Sequence, residues 1–547
     1  MGDNVEEKPL TMDVKEEPPS FTASEHQVDG DQPTPSESVP PTVDDRPRLF
    51  EQFLVVGIDD SVIYKEKANV SIAAPPTTQR KLLPFFNTVY EPKVLYRYPN
   101  VERPNAIKVE SFCFPSGVKT SRIKRSDSMG ALNEIYFSQN YMFDTNHSYI
   151  FRLTNEGNTL YGICITKDEL VSENPTFFPL TTTTETQDPS NDHLLVGSRC
   201  YCLISRYPFF RLHFSVLHSI LDHDRLARII EKQDISDVDH HITSGNVVSD
   251  MLQRVPEPGE EIQFQLSGEM KSKRFQCPVV DVENSCIAEW TMVPTIKVLP
   301  LDHLLLLFNA ILLERPIIVK CRRSLGTLSN LVLSCIPLLR PLEWTGLLIS
   351  LLPNSLNDVL QGTSTVYNSP DLFLAPVPFI VGVNHLSAEV DTLIVDLDNN
   401  KIINQDFSMP MLPEWKKLSH NLKVDYDKIH TAPEYFNSVL TPSILHREAA
   451  SAVLESLQKY VSWLLSKVRG HFSQRAVSDL QLDLTNVRMR EEVAEDFVAS
   501  VSPVNRKFME ILLATQHFSV YSSVHLSDSS KLVAEATPPP ATKTMTT

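Results

Sequence analysis

Asp396 and Asp398 stand two residues apart in "IVDLDNN", where an apolar run ends, a place at which paired carboxylates can hold Mg²⁺. The neighbouring Asn399 and Asn400 suit a turn that caps a strand end, and that blander use of the same residues is the stronger reading. His240-His241 falls in a polar stretch and reads as a solvated loop rather than a metal centre. Eight cysteines (Cys113, Cys164, Cys200, Cys202, Cys277, Cys286, Cys321 and Cys335) contain no C-x-x-C pair and mostly have apolar neighbours. They read as reduced, buried thiols, not as a zinc or disulfide frame. No G-x-x-x-x-G-K-[ST] cradle, G-x-S-x-G elbow or H-E-x-x-H pair occurs, and 16 glycines in 547 residues leave few loops able to wrap a phosphate. We therefore expect no cofactor, no resident metal and no bond-making side chain.

What is left is polar chemistry where strands give way to loops. Arg206 and Tyr207 follow "CLIS", Arg322 and Arg323 follow "IIVKC", and Asp396 and Asp398 follow "LIV". Ser128 in "KRSDSMG" has Arg125 three residues before it and Gly130 two after. That spacing is compatible with phosphorylation by a basophilic kinase and capture by a phosphopeptide-binding protein, beside the simpler reading of an unmodified loop.

The elements that must position these residues come in two styles. "LFEQFLVVGI", "KVLYRYP", "VESFCFPSGV" and "SRCYCLIS" read as strands. "HSYIFRLTNEGNTLYGICIT" reads as a hairpin turning at Asn155 to Asn158, and "YPFFRLHFSVLHSIL" as a helix with Pro208 in its first turn. Further on, "LDHLLLLFNAILLERPIIVKC" joins a helix to a β-branched strand. Pro316 sits at the strand's start, where a missing N–H is cheapest. Glu314 and Arg315 are expected to pair locally across that tight turn. "SLGTLSNLVLSCIPLL" is a helix capped by Ser324, and "TGLLISLLP", "APVPFIVGV" and "TLIVDLDNN" are short strands. Helices alternating with strands buried on both faces predict a mostly parallel sheet. The last third is helical, beginning at Thr441 as N-cap and Pro442 as first residue.

The net charge of −18 is uneven: residues 1–48 carry twelve acidic and four basic side chains with eight prolines, which predicts a disordered tail. The balance excludes nonspecific nucleic-acid binding, which needs a basic face. Leu304 to Cys321 is interrupted by Asn309 and by Glu314-Arg315-Pro316, too short a run to span a bilayer, and a cytoplasmic location is expected.

Taken in order, these segments resemble the tripartite DENN-domain family. "LFEQFLVVGI", "PKVLYRYP", "FCFPSGV", "YIFRLTNEGNTLYGICI" and "CYCLISRYPFF" resemble its upstream module. "LDHLLLLFNAILLERPIIVKC", "EWTGLLISLLP", "APVPFIVGV" and "IVDLDNNKI" resemble the central module, and "KFMEILLATQHFSVY" the end of the downstream one. The resemblance implies a mixed α/β and α+β fold: a longin-like N-terminal lobe, an α/β lobe with a mostly parallel sheet, and a helical C-terminal part. The corresponding boundaries are a tail (1–47), an upstream lobe (48–232), a linker (233–270), a central module (271–410), a downstream helical module (411–525) and a second tail (526–547). It also implies nucleotide exchange on a Rab-type small GTPase in vesicle trafficking, with membrane association only through partners. Arg206, Tyr207, Arg322, Arg323, Asp396 and Asp398 become the residues facing the GTPase, around a wide apolar groove between the lobes. Two rivals are a GTPase-activating role using an arginine such as Arg122, Arg125 or Arg206, and a scaffold that binds without catalysis. One departure is "QGTSTVYNSPDLF" (Gln361 to Phe373), which intervenes where family members run almost directly into the "APVPF" strand.

Overall fold

The computed structural model describes residues 48–58, 89–100, 108–124, 147–155, 158–171, 193–232, 255–264, 272–361, 378–386, 392–403, 409–431, 442–479, 482–528 and 530–532. Ser128, Arg125, His240, His241, Thr441, residues 1–47 and nearly all of the Gln361 to Phe373 insertion lie outside them.

The first half of the described chain builds an antiparallel sheet. Its elements are β1 (Gln52–Gly57), β2 (Val89–Tyr90), β3 (Lys93–Tyr98), α1 (Val109–Cys113), β4 (Val118–Lys124), β5 (Ser148–Asn155), β6 (Asn158–Leu170) and β7 (His193–Ser205). β7 is the axis. One edge pairs with β6, while the other pairs with β4 near its start and with β1 near its end. β5 and β6 form the hairpin across Asn155 and Asn158. Residues 109–113, expected as strand, are instead a short helix that buries Phe112 and Cys113. So brief an apolar run satisfies either periodicity, and here contact with the sheet decides. Gly117 follows with φ of 74°, a conformation open to glycine, and a Cβ there would meet the Val89 side chain at 2.2 Å. α2 (Phe210–Lys232) packs on the sheet, with Phe214 stacked on Trp290 at 4.4 Å between ring centres. Pro208 lies ahead of this helix, not in its first turn, and its carbonyl accepts the Phe210 N–H. The span expected to be a linker contains β8 (Glu261–Phe264), which pairs with β9 (Lys273–Gln276) just beyond it.

The second half starts with α3 (Val282–Val298) and α4 (Leu301–Leu312), then β10 (Ile317–Lys320), α5 (Leu325–Leu338) and β11 (Leu347–Leu352). A 3₁₀ turn (Asn354–Gln361), β12 (Phe379–Val383), β13 (Leu393–Asp396) and β14 (Lys401–Ile403) follow. The sheet order is β11-β12-β10-β13-β14, with three parallel ladders and an antiparallel one at β14. Ile317, Ile318 and Val319 on the central strand are fully buried, as a strand covered on both faces requires. Ser324 caps α5 by accepting the Thr327 N–H at 3.1 Å. The remainder is helical: α6 (Trp415–Thr431), α7 (Ile444–Ser478), α8 (Val487–Ser500), α9 (Pro503–Leu513) and α10 (Gln516–His525). Ser443, not Thr441, caps α7, taking the His446 N–H at 3.2 Å. Among the described residues, no helix is long and apolar enough to cross a membrane.

The two halves of the described chain are in direct contact at β5. β5 is a sheet edge, so one side of its backbone has no strand partner. Serines of the second half satisfy it. Ser350 Oγ donates to the Ile150 carbonyl and accepts the Arg152 N–H, both at 3.0 Å, and Ser329 Oγ accepts the Ile150 N–H at 3.3 Å. Side chains from both halves share a continuous core across this seam. Ser350 is fully buried, so Ser350→Ala leaves the Ile150 C=O and the Arg152 N–H without their partner. We expect a loss of about 2 kcal/mol in denaturant unfolding, since each buried unsatisfied group costs about 1–3 kcal/mol; a change below about 0.5 kcal/mol would show the seam to be wet.

The Glu314–Arg315 turn also departs from expectation. The two do not form a local pair. The Arg315 N–H bonds to the Ala310 carbonyl and the Glu314 N–H to that of Ile311, closing α4 in a Schellman motif. Glu314 takes the left-handed position, φ 49°, that glycine usually fills. Its carboxylate reaches across 202 residues of sequence to accept the N–H of Gln516 at 2.8 Å, and also that of His517 at 2.8 Å.

Candidate functional site

In a parallel sheet the loops that follow the carboxyl ends of the strands converge on one edge, where ligand-contacting residues collect. Here that edge holds the loops after β10, β11, β12 and β13. Lys320, last in β10, sets Nζ 3.0 Å from Asp396 Oδ2, last in β13, because the two strands are in parallel register. Asp396 is buried and also accepts from Asn399, through its backbone N–H at 3.2 Å and its amide at 3.0 Å. Burial works to raise the Asp396 pKa, but the bonds from Asn399 and Lys320 outweigh it and hold the carboxyl below the ordinary range. Asp398 accepts the Arg322 backbone N–H at 2.8 Å, and Arg323 Nε lies 3.9 Å from its other oxygen. These two carboxylates therefore direct their oxygens at protein donors, as in a capped strand end. The loop backbone is fixed while the Arg322 and Arg323 side chains stay exposed.

The first half of the chain contributes to the same edge. Its Pro115-Ser116-Gly117 turn meets the loops after β11 and β12. Asn384 Nδ2 donates to Ser116 Oγ at 2.7 Å and Asn354 Nδ2 at 3.4 Å, while the Asn354 N–H reaches the Pro115 carbonyl at 2.9 Å. Both halves thus meet in a single polar surface, held rigid by the buried seam beside it. Such an arrangement can grip a folded partner at several points. Among the described groups on it we find no nucleophile paired with a base.

The structure brings Arg322, Arg323, Asp396 and Asp398 together. It does not place Arg206 and Tyr207 in that cluster. Arg206 pairs with Glu51 at 3.0 Å, and the Tyr207 ring stacks on Phe209 at 5.5 Å between centres. Both make these contacts within the first half, at the far end of β7 from the β4 pairing. Sequence reading missed Lys320, Asn354, Asn384, Asn399 and Ser116. The available signal was local: an Asn or Lys directly after a short apolar run, and the Pro-Ser-Gly turn.

Residues 92–167 match the uDENN domain family and residues 196–400 match the DENN (AEX-3) domain family. The chain is 25% identical over 410 residues to the MAP kinase-activating death domain protein of Caenorhabditis elegans. That match covers 67% of this chain and 26% of the relative, so the chain spans about a quarter of that protein's length.

Proposed function

Because this chain is a DENN-domain protein, with a uDENN domain ahead of its DENN domain, we propose that it is a guanine-nucleotide exchange factor for a Rab-type small GTPase in membrane trafficking. The ordered pair of domains is the observation that carries this reading. A longin-like first lobe docked beside a helix-covered second lobe is the frame in which it would act.

Exchange needs no covalent step. The factor binds the nucleotide-free GTPase more tightly than the GDP form and, by linkage, weakens GDP binding by the same factor. Each tenfold gain in release rate takes about 1.4 kcal/mol of selective stabilisation. A rigid composite edge suits this work, because energy gained on gripping displaced switch loops is not spent reshaping the exchange factor. Arg322 and Arg323 are its accessible cations, with Asp396, Asp398 and Lys320 holding their loops in place. The GTPase would then sit across the shared edge and not in a groove between the lobes.

The test is release of labelled GDP from a panel of Rab GTPases by the full chain, with GTP hydrolysis measured in parallel. Acceleration of GDP release at least tenfold for one member is the expected result. Binding without faster release would make the chain a scaffold, and faster hydrolysis in its place would make it an activating protein; either outcome sinks the proposal.

A further inference from the structure

Half of the chain's cysteines gather at one point inside the first lobe, outside the surface described above and independent of the exchange reading. Cys164 on β6 stands directly opposite Cys202 on β7. Cys200 lies two residues along β7, on the same face by strand alternation. α1 lays Cys113 over them. The sulfurs of Cys113, Cys164 and Cys200 all lie within 4.8 Å of one another, and Cys202 adjoins them as the cross-strand partner of Cys164. All four residues are fully buried, and all are free thiols.

Buried cysteines often serve as small apolar side chains. Convergence of this kind is different, because three elements separated in sequence each turn a sulfur toward the same point. In a tetrahedral thiolate site the metal–sulfur distance is about 2.3 Å, which sets sulfurs about 3.8 Å apart. For Cys113, Cys164 and Cys200, closing to that spacing takes side-chain movements of about 1 Å. Tyr149 adds polar support: its hydroxyl lies 3.5 Å from Cys200 Sγ, where it can donate to a ligating sulfur, and it also bonds to the Cys113 carbonyl. We propose that Cys113, Cys164 and Cys200, with Cys202 as the fourth ligand, form a structural site for a thiophilic d¹⁰ cation, Zn²⁺ or Cu⁺. Each thiol that ligates gives up its proton to solvent, and the cation replaces those protons with no change in oxidation state. The site would pin α1 to the sheet. Because Pro115 and Ser116 directly follow α1, it would also steady the turn that docks against Asn354 and Asn384.

The experiment uses the full chain, purified without chelators, with zinc and copper counted by inductively coupled plasma mass spectrometry. About one ion per chain is expected, released when a mercurial reagent consumes the thiols. Cys164→Ser and Cys200→Ser should each lose the ion, while Cys335→Ser, in α5, keeps it. Should the serine variants fail to fold, the wild-type chain decides. Refolding it with Co²⁺ should give a thiolate-to-cobalt charge-transfer band if the site exists. Less than about 0.1 ion per chain, with no cobalt band and all eight thiols titrating once denatured, overturns the proposal. A disulfide within the cluster, found by mass spectrometry of the native protein, overturns it equally.

Discussion

Glu314→Ala is expected to lower the folding stability by about 3 kcal/mol and to loosen the last helix before anything else. The first two backbone N–H groups of α10, those of Gln516 and His517, are donors that no residue inside the helix can accept. Glu314 takes both. Thr515 Oγ1 takes the third, from Phe518, at 3.4 Å, so the two side chains cap the first turn together. His517 Nδ1 also lies 2.9 Å from Glu314 Oε1, and the ring's other nitrogen is 3.1 Å from the Leu312 carbonyl. The His517 side chain is fully buried, so removing the carboxylate deprives a buried polar ring of its partner, along with the part-buried His517 amide and the exposed Gln516 amide. Hydrogen bonds to a charged group contribute about 1.5–3 kcal/mol each, and placing a carboxylate at a helix N-terminus adds to that. Against these gains stands a left-handed backbone at a non-glycine residue, a cost of about 1 kcal/mol.

Glu314→Gly should therefore fall between the two, recovering about 1 kcal/mol of the alanine loss by relieving φ. Denaturant unfolding of the three proteins, with hydrogen exchange of residues 516–525, reads both effects. Equal stability of wild type and Glu314→Ala would show that the cap is ornamental. The pH dependence has a definite sign. Burial tends to raise the Glu314 pKa, but the bonds from His517 and Gln516 outweigh it and hold the carboxyl low. A depressed carboxyl stabilises the fold above the ordinary carboxylate pKa of about 4.3 and loses that contribution as pH falls through the lowered value. In Glu314→Gln the acid limb of the stability curve should be flatter over that window.

Reversing both cations, Arg322→Glu with Arg323→Glu, should slow GDP release at least about tenfold, a loss of about 1.4 kcal/mol in the release transition state. The same protein should keep its unfolding midpoint. Both side chains are exposed. The contact of Arg323 with Asp398 spans 3.9 Å from a guanidinium that is 81% accessible, a pair of the kind that adds little to stability. The loop does not rely on these guanidinium groups, because Asp398 grips the Arg322 backbone N–H. Charges on the rim of an interface act on encounter and on orientation, so the loss should shrink as salt is raised. An exchange rate equal to wild type at low salt would take both arginines out of the site. Lys320→Ala is the contrasting variant. It leaves buried Asp396 without its cation and should cost stability as well as activity.

Much of this architecture was readable from local pattern. Short β-branched runs bounded by Pro, Ser and Gly mark most of the strands, and the Asn155 to Asn158 turn marks the β5–β6 hairpin. Ser324 announces the start of α5. Such features depend on residues within a few positions of one another, so the signal survives in the bare sequence. α1 escaped because five residues are too few to separate the two periodicities. α3 escaped because Pro294 interrupts a run that its surroundings nevertheless keep helical. Arg322, Arg323, Asp396 and Asp398 come together because β10 and β13 are neighbouring parallel strands that end side by side. Arg206 and Tyr207 end a strand as well, but that strand lies in the other sheet.

Taken alone, then, the sequence determined most of the strands and helices, where several of them stop, and the likeness to the upstream and central DENN modules. Tertiary structure alone decided the long-range pairings: Glu314 with the head of α10, Ser350 with the edge of β5, the sulfurs of Cys113, Cys164 and Cys200 in one place, and Ser116 with Asn354 and Asn384. Those partners lie tens to hundreds of positions apart, and their meeting follows from strand order and sheet packing. No spacing rule within a single element encodes that order.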